Sequence, residues 1–177
     1  MHADDSHDTP TLTALPGIAA LRAGHDDSLD LWVRLRSPRS MPLPTGRRAP
    51  APWLSAVRLY LRPSAGVSVT LLDAHPSIGA PTGELGWLLP DVPSGGEADA
   101  LFRLRVDRGL TVAGTAAPLL WLRVMALDAR GARRSIAAPA LVLPALPVDH
   151  HDRLPPHPAV ARRVAGHAGP VDACGQR

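Results

Sequence analysis

Leu29-Asp30-Leu31-Trp32-Val33-Arg34-Leu35-Arg36 alternates apolar and polar side chains without a break. A period of two sends Leu29, Leu31, Val33 and Leu35 to one side and Asp30, Trp32, Arg34 and Arg36 to the other, the pattern of a half-buried strand. The same alternation returns at Val57, Leu59 and Leu61 against Arg58, Tyr60 and Arg62. It returns again at Ala98, Ala100, Phe102, Leu104 and Val106 against Asp99, Leu101, Arg103 and Arg105. Antiparallel sheets with one wet face read this way. Val67 to Leu72, Glu84 to Leu89 and Arg133 to Ala138 are shorter candidates, and Leu119 to Leu127 is apolar on both sides, as a central strand would be.

Working outward, turn residues separate these runs: Pro63-Ser64-Ala65-Gly66, Pro93-Ser94-Gly95-Gly96 and Asp128-Ala129-Arg130-Gly131. The last closes a hairpin if Gly131 takes the left-handed position after a type I turn. No long stretch shows a helical period, and 20 prolines would break one; Leu12 to Leu21 reads as a short helix or an edge strand around Pro16. The expected fold is all-β: an antiparallel, two-sheet, immunoglobulin-like β-sandwich of six to eight strands over residues 11–147. Ser37 to Pro52, with Pro38, Pro42, Pro44, Pro50 and Pro52, is expected to be an exposed excursion. Residues 1–10 read as a disordered acidic leader and residues 148–177 as a disordered tail, since prolines and charges recur there without a period.

Charge is unevenly spread. Residues 1–27 set Arg22 against Asp4, Asp5, Asp8, Asp26 and Asp27, whereas residues 28–136 hold fourteen arginines against eight carboxylates. Every Lys-or-Arg position is arginine, which with abundant Ala, Pro and Gly reads as the bias of a GC-rich genome. The single cysteine, Cys174, cannot form an intramolecular disulfide, and the polar start Met1-His2-Ala3-Asp4-Asp5 lacks the basic and apolar regions of a signal peptide. No run approaches about 18 apolar residues. A cytoplasmic protein away from membranes is expected.

Two stretches carry a family resemblance. Ala20-Leu21-Arg22-Ala23-Gly24 followed by Leu29 to Leu35 resembles the strands that precede the von Willebrand factor A domain in many bacterial proteins. Val57-Arg58-Leu59, Pro63 to Val67, Gly83-Glu84-Leu85, Leu89 to Glu97 and Leu101 to Val106 are similar to the β-sandwich that follows that domain. In that family the A domain is inserted between the two halves of the sandwich and binds a divalent metal through Asp-x-Ser-x-Ser. Here Ser37 to Pro52 stands where the insertion would be, and no Asp-x-Ser-x-Ser occurs. The resemblance implies a sandwich without its adhesive domain, hence structural or partner-binding work.

Catalytic chemistry finds few candidates. Asp149, His150, His151 and Asp152, with His157, form a polar cluster, but adjacent histidines on a regular element cannot both face one ion, and the spacing matches no helical zinc site or Cys/His knuckle. His2, Asp4, Asp5, His7 and Asp8 lie on a terminus without a scaffold. His75 has Asp73 two residues away but reads as a surface histidine, and neither a Gly-x-Ser-x-Gly nucleophile nor a phosphate-binding glycine loop is present. No enzyme, cofactor or metal is expected. The outward residues Trp32, Arg34, Arg36, Arg58, Tyr60, Arg62, Arg103 and Arg105 form the candidate binding face, because Trp, Tyr and Arg anchor protein interfaces. The opposing reading is that these arginines stack on the aromatics and solvate the sheet. The expected partner is a protein, with carriers of a von Willebrand factor A domain among the candidates; a nucleic-acid-associated accessory role is the alternative.

Overall fold

The computed structural model describes residues 9–22, 27–38, 52–75, 85–107, 116–147, 149–150 and 154–167. Ten strands and one helix form there: β1 (Thr11–Pro16), β2 (Leu21–Arg22), β3 (Asp27–Arg36), β4 (Leu54–Pro63), β5 (Ser68–His75), β6 (Gly86–Leu88), β7 (Glu97–Asp107), β8 (Ala116–Asp128), β9 (Arg133–Ala137), β10 (Leu141–Leu146) and α1 (Pro158–His167). They exceed the expected six to eight because β2, of two residues, is too short to show a period and β10 contains Pro144.

Alternation decides which side chains turn inward. Leu29, Leu31, Val33 and Leu35 of β3 are fully buried, as are Leu54, Val57 and Leu59 of β4 and Leu104 of β7. Leu31, Val33, Leu59, Leu61, Phe102, Leu104, Leu122 and Val124, from four strands, all join one core. Trp87 of β6 packs on Phe102 with ring centroids 4.7 Å apart and planes at 55°.

Two sheets enclose that core. The first has the order β1-β3-β7-β5; the second runs β2-β10-β8-β4-β6, with β9 also on β8. Read as letters, β1, β3, β7 and β5 are A, B, E and D, and β4, β8 and β10 are C, F and G, which is the strand order of an immunoglobulin-type sandwich. From β3 to β8 the chain changes sheet at every step. All described pairs are antiparallel except β2 with β10, where Leu21 lies opposite Ala145. β8 is long enough to serve two strands on one edge: β10 pairs its first half and β9 its second.

Local chemistry closes the ends. Asp128 turns β8 into β9: its Oδ1 accepts the N–H groups of Arg130 and Ala132, each at 2.9 Å, while Oδ2 accepts from Arg134. Gly131 then takes φ 77°, the left-handed position expected of it. In β4 the register shifts between Ser55 and Arg58, and Ala56 sits at φ 50°, its N–H donating to Asp91. This bulge lets Leu54 and Val57 both face the core.

Two expectations need correction, and a third is decided between its alternatives. Ser37 and Pro38, read as part of an exposed excursion, are buried; Ser37 donates to the Pro93 carbonyl and Gly95 donates to that of Pro38. Residues 39–51 lie outside the described residues. Leu12 to Leu21, left open between helix and edge strand, overlaps β1, an edge strand that pairs β3 in the first sheet. The reading of 148–177 as a tail fails at α1, which starts with Pro158 in the first turn, where a missing N–H is harmless. His157 caps it, its Nδ1 accepting the Ala159 N–H at 3.3 Å, and its own N–H donates to the Gly17 carbonyl at 2.8 Å. Val160 is 1% exposed, and a Cβ on Gly17 would come within 3.3 Å of it.

Candidate functional site

The eight residues of the expected binding face divide between the two sheets. Trp32, Arg34 and Arg36 stand on β3 and Arg103 and Arg105 on β7, all on the outer face of the first sheet. Arg58, Tyr60 and Arg62 stand on β4, on the outer face of the second. The core separates them, so they cannot act as one site. Period-two alternation tells which residues point outward but not which sheet a strand joins.

On the first sheet Arg34, Arg36 and Arg103 are engaged by their own neighbours. Register sets Asp30 opposite Arg103, Arg34 opposite Asp99 and Arg36 opposite Glu97. Each pair closes: Arg103 to Asp30 at 3.0 Å, Arg34 to Asp99 at 3.1 Å, and Arg36 to Glu97. Such partly exposed cross-strand pairs contribute about 0.2–1 kcal/mol each. Their larger effect is on recognition, since a paired guanidinium has fewer donors for a ligand.

Helix α1 then covers the aromatic part of that face. Arg34 stacks on the Trp32 ring at 4.5 Å, and Arg163 from α1 lies 5.8 Å from the same ring. Arg163 also donates to Asp99 at 2.6 Å, so one carboxylate holds a guanidinium from the sheet and another from the helix. Trp32 is half-buried, and its indole N–H is enclosed without a partner among the described residues. The structure thus brings Trp32 and Arg34 together as an internal stack beneath α1.

The outer face of the second sheet differs. Register sets Tyr60 opposite Arg123, Arg62 opposite Trp121 and Arg58 opposite Met125, giving a checkerboard of rings and guanidinium groups across β4 and β8. An open concavity of about 1050 Å³ lies here, bounded by Tyr60, Arg62, Pro118, Trp121, Arg123 and Ala137. Trp121 is 50% exposed, and Leu88, opposite Arg58, is 48% exposed. Among the described residues, Arg58, Arg62 and Arg123 have no ion-pair partner.

Sequence reasoning missed Trp121, Arg123 and Met125 by reading residues 119–127 as apolar on both sides. The signal was present: Trp121-x-Arg123-x-Met125 repeats the spacing of Trp32-x-Arg34-x-Arg36. Of the catalytic candidates, His75 is exposed on β5, and the Asp73 carboxylate accepts the Ala74 N–H at 2.8 Å. His150 stands in a turn in which its N–H donates to the Pro147 carbonyl, and His157 caps α1. His2, Asp4, Asp5, His7, Asp8, His151, Asp152 and Cys174 lie outside the described residues. Among the described residues no three His, Cys, Asp or Glu side chains converge, and no helix is long and apolar enough to cross a membrane.

Strand order and core define the class: an immunoglobulin-like β-sandwich carrying a helix on one sheet and an open aromatic-arginine face on the other. Comparison with protein-family models and with curated proteins finds no match. Among solved structures, the chain is similar to the full-length major pilin SpaD from Corynebacterium diphtheriae, with a TM-score of 0.46 and 11% identity over 75% of this chain. The similarity spans 34% of the pilin.

Proposed function

We propose that the chain is a non-catalytic interaction module that binds a protein partner through the outer face of its second sheet. Arg58, Tyr60 and Arg62 supply β4's part of the surface, and Trp121, Arg123 and Met125 supply β8's. The observation that carries this reading is Trp121, half-exposed beside a concavity and flanked by arginines that have no ion-pair partner among the described residues. Exposed aromatic rings beside guanidinium groups are the anchors of protein interfaces. The opposite face has the same residue types, but its Arg34, Arg36 and Arg103 are paired and its ring is covered.

The partner class we favour is a protein that carries a von Willebrand factor A domain, met in the reducing compartment that the lone Cys174 suits. That choice rests on the resemblance of the strand sequences to those flanking such domains. The second reading, an accessory protein on nucleic acid, draws on the same three arginines and two rings. Pairing of Arg34, Arg36 and Arg103 removes much of the basic surface it would need. The test is capture from cell extract by the full chain and by Tyr60→Ala/Trp121→Ala. The double variant is expected to lose the captured protein while melting as the parent does; undiminished capture would remove the face as the site.

A further inference from the structure

Resting on that reading, we propose that the second-sheet face recognises an acidic polypeptide segment in extended conformation, with carboxylates at alternate positions. Arg58 and Arg62 are four residues apart on β4, about 13 Å at strand rise. Arg123 projects from β8 opposite Tyr60, midway between them. The three guanidinium groups therefore form a shallow triangle whose steps along the strands are about 6–7 Å, the repeat of every second residue in an extended chain. Carboxylates at positions i, i+2 and i+4 of such a segment can each meet one arginine.

Charge complementarity follows from the pairing pattern. On the first sheet, strands β3 and β7 supply Asp30, Glu97 and Asp99 opposite arginines, so that face answers its own charge. Among the described residues of the second sheet, the outward ones that register opposite Arg58, Arg62 and Arg123 are Met125, Leu88, Trp121, Tyr60 and Ala137, none of them acidic. The carboxylates that complete these arginines come from a ligand. Trp121 beside the concavity, with Pro118 and Ala137 at its rim, adds an apolar seat for one aliphatic side chain. That seat favours polypeptide over polynucleotide, whose backbone offers uniform charge and no such side chain.

The test is fluorescence anisotropy on the full chain with a labelled decapeptide carrying glutamate at alternate positions, one central leucine and alanine elsewhere. The proposal expects saturable binding, at least about tenfold weaker with glutamine in place of glutamate, as loss of hydrogen bonds to charged groups implies. Arg123→Gln should weaken the glutamate peptide by about tenfold without moving the melting transition, and Arg105→Gln, the same charge change on the other face, should leave it within about twofold. Equal binding of the two peptides, or an unaltered Arg123→Gln, overturns the proposal. Tighter binding of a ten-nucleotide oligothymidylate makes the face a polynucleotide site and also overturns it. A gain of more than about tenfold on deleting residues 1–8, which hold Asp4, Asp5 and Asp8, would make the occupant the chain's own leader rather than a partner. Capture from extract that needs Trp121 but not Arg62 and Arg123 would retain the interaction module and reject its acidic ligand.

Discussion

Asp128 organises more of its surroundings than its size suggests. Its carboxyl is held below its ordinary value of 3.8, first by the Ala132 N–H, with the Arg134 guanidinium and the Arg130 N–H acting in the same direction against partial burial. A depressed value means the folded state favours the charged form. The contribution is therefore complete above the unfolded value near pH 4 and fades as pH falls through the lower folded value. Asp128→Asn should lower the melting midpoint at pH 7, and its gap to the parent should narrow below about pH 4. A gap that stays constant down to about pH 2.5 would show that the hairpin does not depend on this charge. Phe102 makes a separate demand: 1% exposed and packed on Trp87, it should lose about 3–5 kcal/mol as Phe102→Ala in urea unfolding. A loss under about 1 kcal/mol would contradict the register of β7. The inward position of Phe102 was legible from alternation alone. The difference between Trp32 and Trp121 was not, because both occupy outward positions in Trp-x-Arg repeats, and only what lies over each ring separates them.

Among the elements, α1 was the least legible. Ten residues make a helix too short to be stable on its own. What holds it is tertiary: Val160 against Gly17, Arg163 on Asp99 and His157 on the Gly17 carbonyl. Prolines at 155, 156 and 158 suggested a loop, although Pro158 in fact opens the helix. Val160→Ala should destabilise by about 1–2 kcal/mol, the loss of two buried carbon groups, measurable by denaturant unfolding. Val164→Ala, at a half-buried position on the same helix, should lose less. Equal losses would mean that the docked face is assigned wrongly. β10 was hidden for another reason: Pro144 argued against a strand, yet it stands opposite Ala116, the first residue of β8, where the ladder ends. By contrast, β3, β4 and β7 showed plainly, since each is wet on one face and dry on the other.

For the molecule as a whole, alternation revealed the sandwich, whereas the sharing of strands between sheets came only from pairing. Trp32→Ala and Trp121→Ala should accordingly part company. The first should destabilise by about 1–3 kcal/mol and spare partner capture; the second should abolish capture and spare the fold. The reverse result would exchange the two faces. Shortening the chain between β3 and β4 should be tolerated if Ser37 and Pro38 are kept, since both are tied to the Pro93–Gly96 turn, and closure entropy changes by only about 0.6 kcal/mol when the length of a connection is halved. Unfolding after removal of residues 42–47 would refute this. The pairing of β3 with β7 has one more consequence, at the ribosome. Asp27 to Arg36 emerge some seventy positions ahead of their partners at Arg36–Glu97 and Asp27–Val106, so for several seconds of synthesis at about 5–20 residues per second one edge of β3 has no strand beside it. A bare edge is a template for misassembly, and charge is the usual guard. Arg34 and Arg36, which later close onto Asp99 and Glu97, stand on that edge first as unpaired cations, so the side chains that finish the sheet also keep the nascent chain from joining its neighbours.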